Sequence, residues 1–359
     1  MDLRLSKAKE IIANQNLDAI LISSLPNISY LTGYPNFSHE EHEAFLLLSN
    51  NDSFIFTDAR YTSEVKRKVI NFDLITISAK YNFYDALKEI IHQKNIKTIG
   101  IEESDIRISE YKILKRIIPT IRSAEFNNLR ILKSPTEIEC IKKACRIGDE
   151  AFKFILKQIK PGLTESQIAY KLDNYIFQKG ADLSFSTIIA FGKNAAVPHH
   201  MTGKQKLKVN DLVLIDFGVK YENYCSDMTR TVFIGKANKK QKNVYKTVLN
   251  AQSEAIKYLK DNSKNVYAKD VDHTARSFIL SHGYSTIPHS LGHGIGIQVH
   301  EPPTLSPLSK HFLVNDMVFS IEPGIYLDNE FGIRIEDLFV LQKERLIQLT
   351  NSPKELIEL

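Results

Sequence analysis

Between Asp18 and Phe126, short apolar runs alternate with stretches of helical period. "DAILI" from Asp18, "AFLLLS" from Ala44, "SFIFTD" from Ser53, "LITIS" from Leu74 and "TIGIEE" from Thr98 are β-rich. "YDALKEIIHQK" and "ISEYKILKRII" instead repeat apolar residues at three- and four-residue intervals, which lines one face of a helix. The alternation predicts an α/β domain. A long helix follows, with Ser134 as N-cap, Pro135 in its first turn, Glu137 as the capping-box acid and Pro161–Gly162 beyond its end. Two domains are therefore expected, residues 1–127 and 128–359. In the second, helices are expected from about Glu165 to Lys179, Lys239 to Lys260 and Ala268 to His282. β-rich stretches separate them, which gives an α+β pattern.

The stretch "LVLIDFGVKYENYCSDMTRTVFIG", residues 212–235, breaks the apolar rule. Asp216 ends one apolar run and Asp227 enters the next. A buried unpaired carboxylate costs several kcal/mol or more, so each acid needs a cation, a hydrogen-bonded partner or a metal. Arg230 is close enough in sequence to pair with one of them, but it is one cation for two anions.

A weak internal repeat enlarges the problem. "NDLVLIDFG" from Asn210 is echoed by "NDMVFSIEPG" from Asn315, and each is followed by another apolar run bearing an acid. Asp216 precedes Asp227 by eleven positions, and Glu322 precedes Glu336 by fourteen. Two related hairpins facing each other across a pseudo-two-fold axis bring four carboxylates together. Such a group repels itself strongly unless cations lie between its members, and two divalent metals meet that need. "HSLGHGIGIQVHEPP", residues 289–303, places His289, His293 and His300 among glycines that let backbone approach closely. Mostly oxygen donors with one imidazole suit manganese, cobalt or zinc.

Composition narrows the alternatives. The chain has 359 residues and 43% hydrophobic content, enough for two cored domains. Its 47 basic and 42 acidic residues give a net charge of +5 without long like-charge blocks, so no nucleic-acid partner is expected. Cys140, Cys145 and Cys225 form no CxxC pair, which argues against a disulfide framework and for a reducing compartment. Cys225 is expected to be a packed thiol. Charges interrupt the first apolar stretch, so neither a signal peptide nor a membrane span is expected, and a cytoplasmic location is.

Taken together, "FGKNAAVPHH", "VLIDFGVKYENYCSDMTRTV", "HSLGHGIGIQVHEPP", "VFSIEPGIY" and "GIRIEDLFVL" resemble the pita-bread metallopeptidases, the family of Xaa-Pro aminopeptidase, prolidase, methionine aminopeptidase and creatinase. "NISYLTGY" and "FTDARY" look like the extra domain of the proline-directed members. The resemblance implies an α+β pita-bread (creatinase/aminopeptidase) catalytic domain preceded by a smaller α/β creatinase-type N-terminal domain. It implies that Asp216 holds one divalent metal ion, that His293 and Glu322 hold a second, and that Asp227 and Glu336 bridge both. Manganese is the expected metal, with cobalt or zinc as alternatives.

Further roles follow from the same resemblance. His199 and His300 would stabilise the intermediate and assist the leaving nitrogen, and Glu322 would shuttle a proton. Local sequence does not choose between His199 and His200. His289, Tyr326 and Arg334 would line a proline pocket, although an arginine beside acids also pairs structurally. Thr229 would orient Asp227. The implied activity is metal-dependent removal of an N-terminal residue from peptides with proline in second position. The alternatives are a dipeptidase on Xaa-Pro, a metal-free creatinase-type enzyme, and a non-catalytic binding module. A homodimer is implied, with the tyrosine-containing "ISYLTGYPNF" as a candidate contact.

Overall fold

The computed structural model describes residues 3–38, 42–126, 128–262 and 266–359, and the chain divides into two compact units, Met1–Arg130 and Ile131–Leu359. Met1, Asp2 and the expected boundary residue Asn127 lie outside the described residues.

The first unit is built on a six-stranded sheet in the order Asp73–Ile77, Ser53–Asp58, Ala44–Ser49, Ala19–Ile22, Thr98–Ile101, Thr120–Ser123. Its central strand Ala19–Ile22 is buried at every position, which accounts for a continuous apolar run in place of alternation. Helix Phe83–Gln93 lays Phe83, Ala86, Leu87, Ile90 and Ile91 into the core, and its start is fixed by an Asn82–Asp85 capping box. Helix Leu25–Thr32, which periodicity does not reveal, is set by Pro26 in its first turn and by Gly33 at φ 71° after its end. The buried Glu102 carboxylate accepts from Ser23 N, Ser24 N and Ser24 Oγ and anchors that helix start.

This helix corrects the expectation for "ISYLTGYPNF". Tyr30, Tyr34 and Phe37 are buried, with Phe37 packed between Tyr34 and Tyr61 at ring separations of 4.8 and 5.0 Å. These rings complete local packing and present no exposed aromatic face to a second copy.

The second unit contains two half-structures. In the first, strands Ile357–Glu358, Met228–Phe233, Leu212–Phe217 and Ile188–Phe191 form a sheet, and helices Pro135–Leu156 and Glu165–Gln178 bury Ile147, Ile168 and Leu172 with Val213, Ile215 and Val232. The Ser134–Glu137 capping box is present as expected. In the second, strands Glu301–Leu305, Gly292–Gly294, Val318–Ile321, Asp337–Gln342 and Arg345–Gln348 form a sheet, and helices Lys239–Asp261 and Ala268–Ser281 share a core with Phe319, Ile321 and Phe339. Among the described residues no helix is long and apolar enough to cross a membrane.

Register breaks the expected equivalence of the two acid-bearing hairpins. Asp216 lies opposite Thr229, whereas the last ladder pair beside Glu322 and Glu336 is Ile321 with Asp337. Between Asp216 and Asp227 runs a tight hairpin, Val219–Tyr221 with Tyr224–Cys225, turned by Glu222 and Asn223 at φ 47° and 69°. Between Glu322 and Glu336 runs a longer one, Gly324–Leu327 with Phe331–Arg334.

Arg230 does not pair with Asp216 or Asp227. Adjacent strand residues face opposite sides, so Arg230 points away from Thr229 and into the interior. There Nη2 reaches Asp337 Oδ1 at 2.6 Å and Ser352 O at 2.8 Å, Nε donates to Pro353 O at 2.9 Å, and Nη1 donates to Thr229 O and Glu336 O. Both charged groups are almost completely buried, so this ion pair fastens the two half-structures together.

Candidate metal centre

Strand ends carry the acids to one place. Asp216 closes strand Leu212–Phe217, Asp227 precedes Met228–Phe233, Glu322 follows Val318–Ile321, and Glu336 precedes Asp337–Gln342. His293 enters on Gly292–Gly294, squeezed between two strands. A Cβ at Gly292 would stand 2.0 Å from Ser320 O, and one at Gly294 would stand 2.2 Å from Pro302 O, so only glycine allows the approach. All five side chains line one cavity of about 700 Å³.

Within it, His293 Nε2 lies 3.3 Å from Glu322 Oε1 and 3.6 Å from Asp227 Oδ2. His293 Nδ1 is 3.1 Å from Gly294 O and donates to it, which directs Nε2 at the carboxylates. Ligand atoms of Asp227, His293 and Glu336 all lie within 4.8 Å of one another. Asp227 Oδ1 and Glu336 Oε1 are buried without a hydrogen-bond partner among the described residues. Buried carboxylate oxygens are ordinarily satisfied, so this set fits a cation.

The electrostatics carry the same strain. Burial, then the charges of Glu336, Asp216 and Glu322, push Asp227 well above the usual carboxylate range. Burial, then Glu322 and Asp216, raise Glu336 to about 8. Burial also raises Asp216 against the opposing Arg334 charge. Burial works against ionised His293 and Glu322 as well, but their mutual hydrogen bond and charge prevail, leaving His293 at about 9 and Glu322 at about 2.

A pH prediction follows for the metal-free protein. The unfolded chain releases the Glu336 proton near 4.5 while the fold keeps it to about 8, so the unfolded state binds fewer protons in between and stability falls as pH rises. His293, raised from 6.5 to about 9, has the same sign: its contribution is full below 6.5 and lost on approaching 9. Glu322 contributes above 4.5 and loses that contribution only towards 2, outside this window. The unfolding free energy of metal-free protein should therefore fall between about pH 6.5 and 8.5, by up to about 1.4 kcal/mol per pH unit for each proton, and the urea midpoint with it. A rising midpoint would contradict it.

The remaining expected residues divide. His199 and His300 line the cavity, and His300 packs edge-on against His293 with ring centroids 4.3 Å apart. His200 turns to the buried Glu165, 2.9 Å away, so its neighbour is the one facing the acids. Arg334 pairs with Asp216 at 2.5 Å, the structural pairing left open by the sequence, while still lining the cavity. His289 lines it too; Tyr326 does not, and stands behind, 2.9 Å from both His289 Nε2 and Arg334 Nη1. Thr229 serves a different carboxylate from the one expected: its hydroxyl donates to Glu336 Oε2 at 2.7 Å and accepts from Arg334 Nε at 3.0 Å. Cys225 is a buried thiol, donating to Ile297 O at 3.5 Å.

Sequence reasoning missed Phe185, Ile188, Val299 and Thr304, which form the wall together with Ser186, Pro198 and Ser290. Nothing local marks them; Ile188 arrives because its strand pairs with Asp216. It also missed the buried Lys133–Glu301 pair at 2.9 Å, next in sequence to His300.

Known proteins resemble this chain over nearly its whole length. Residues 139–343 match the model of metallopeptidase family M24, and residues 4–131 match the creatinase/prolidase N-terminal domain. The Xaa-Pro dipeptidase of Pyrococcus horikoshii is 34% identical over 370 residues, covering 99% of this chain and 100% of that protein. Among solved structures, the Xaa-Pro dipeptidase from Bacillus anthracis superposes with a TM-score of 0.91 at 29% identity, covering 99% of both chains. The X-Pro aminopeptidase from Thermotoga maritima superposes with a TM-score of 0.86 at 34% identity, covering 98% of this chain and 100% of that one.

Proposed function

The chain belongs to metallopeptidase family M24, an enzyme with the pita-bread fold behind a creatinase-type N-terminal domain, and from that premise we propose that it removes an N-terminal residue from peptides with proline in second position. The observation that carries this is the convergence of four acids and His293 on one cavity bordered by His289 and Arg334. A dipeptidase acting on Xaa-Pro is the second reading, favoured by the names of the Pyrococcus and Bacillus relatives. Assembly as a homodimer belongs to the same proposal and rests on the family resemblance.

The family implies divalent metal ions. Asp216 would hold one, His293 and Glu322 the other, and Asp227 and Glu336 both, with manganese proposed and cobalt or zinc as alternatives. When bound, two such ions polarise the scissile carbonyl and lower the pKa of a water. The chain's own groups do the rest. His199 and His300 donate to the oxygen that gains negative charge, a contribution typically of about 3 kcal/mol per donor. Glu322 carries a proton from the attacking water to the departing proline nitrogen. Thr229 and Arg334 hold Glu336 and Asp216 in place. The His289–Tyr326–Arg334 chain is rigid because each member is hydrogen-bonded to the next, and it gives the proline ring a fixed wall.

Matched Xaa-Pro-Ala and Xaa-Ala-Ala peptides test the assignment. The proline series should be cleaved at least about 10-fold faster in kcat/KM, a difference of about 1.4 kcal/mol in the transition state. Equal rates would remove the proline assignment and leave a general aminopeptidase.

A further inference from the structure

Resting on the metal assignment above, we infer that Gln252 is a positioning residue for the metal centre: its buried amide spans the two strand ends that carry Glu322 and Glu336 and sets the spacing of these acids.

The two acids sit where strand pairing lapses. The ladder of Val318–Ile321 with Asp337–Gln342 ends at Ile321 opposite Asp337, and that of Gly324–Leu327 with Phe331–Arg334 ends at Gly324 opposite Arg334. Glu322, Pro323, Ile335 and Glu336 lie outside both ladders. Backbone bonding across this gap is thin. Ile335 N reaches Pro323 O at 3.4 Å, whereas Glu322 N turns to Leu291 O at 2.8 Å and Glu336 N to Thr229 O at 3.1 Å. Strand ends held this loosely let the separation of their carboxylates vary unless another group ties them together.

Gln252 spans the gap. It is fully buried on helix Lys239–Asp261, where Val248, Ala251 and Ala255 share a core with Ile321 and Ile335. Nε2 donates to Ile321 O and to Asp337 Oδ2, both at 3.0 Å, and lies 3.4 Å from Ile335 O. The atom that faces three oxygens is the amide nitrogen, so these partners fix the side chain's orientation. One amide thus touches the residue before Glu322 and the residues on both sides of Glu336. Asp337 anchors the contact in turn: Oδ1 accepts from Arg230 Nη2 at 2.6 Å and Thr350 Oγ1 at 2.7 Å, and Oδ2 accepts from Lys354 Nζ at 3.0 Å as well as from Gln252. Gln252 is not among the described residues that line the cavity, so its effect reaches the ions through Glu322 and Glu336.

The test is manganese affinity, measured by chelator competition on the purified full chain, for Gln252→Leu against the parent. Leucine is close in size and has no donor. Affinity for at least one ion should fall by about 10–100-fold in a protein that remains folded, and the manganese needed for half-maximal Xaa-Pro-Ala hydrolysis should rise in parallel. Tyr245→Phe on the same helix is the control, because the Tyr245 hydroxyl donates to Lys354 O at 3.1 Å and Glu355 O at 3.2 Å and so loses buried bonds without freeing either strand end. Its affinity should match the parent. A loss below about tenfold in Gln252→Leu, or an equal loss in Tyr245→Phe, overturns the inference alone and leaves Gln252 a structural residue. If Gln252→Leu does not fold, Gln252→Met is read in the same way, and failure of both to fold overturns the inference as well. A parent protein that binds no manganese overturns the metal assignment and the inference together.

Discussion

Chelation of the purified protein should abolish peptide hydrolysis, and added manganese or cobalt should restore it. The expected loss is at least about 10³-fold, because removing even one preorganised electrostatic group from such a site costs about 10²–10³ in kcat. The physical ground is the charge imbalance: four acids share the cavity with one paired arginine, and Asp227 Oδ1 and Glu336 Oε1 have no hydrogen-bond partner among the described residues. Divalent cations satisfy those oxygens and relieve the repulsion. Elemental analysis of reconstituted protein should find two metal ions per chain. Undiminished activity in protein shown to be metal-free would sink the proposed hydrolysis and restore the creatinase-type reading.

Replacing Asp227 or Glu336 by Ala should bring activity to background. Thr229→Val, which removes only the hydroxyl that orients Glu336, should cost about 10–100-fold. The gradation separates direct metal holders from their supports. Stability provides an independent readout with the opposite sign. Asp227 and Glu336 are raised by burial and by the neighbouring acids, so deleting either carboxylate relieves repulsion in the metal-free fold. Metal-free Asp227→Ala and Glu336→Ala proteins should therefore have urea midpoints at or above that of the metal-free parent at pH 8, despite being inactive. Lower midpoints would mean that activity was lost through misfolding, and would withdraw the assignment of these two acids.

Arg230, Thr229 and Tyr326 show where reading along the chain stops. Arg230 is the nearest arginine to Asp216 and Asp227 in sequence, yet strand alternation turns it towards Asp337, while Arg334, more than a hundred residues away, reaches Asp216. Thr229 lies two positions from Asp227, yet its hydroxyl meets Glu336, because proximity along a strand is not proximity across it. Tyr326 passes behind His289 rather than beside it, since the Gly324–Leu327 hairpin sets its face.

By itself the sequence determined what depends on nearest neighbours. Helix Pro135–Leu156 begins where Ser134, Pro135 and Glu137 place it, the apolar runs became strands that are buried except at the sheet edge Asp73–Ile77, and the glycines around His293 stand where backbone must approach backbone. These are local constraints, acting over a few residues through sterics, capping and burial, so they can be read in order. It also marked the acids, because a carboxylate in an apolar strand is costly wherever that strand goes. The tertiary structure alone decided partnership: which arginine neutralises Asp216, and which of His199 and His200 faces the cavity. Those choices depend on ladder registers and on contacts between residues about a hundred positions apart, and a shift of one residue in either hairpin would exchange the faces that carry them.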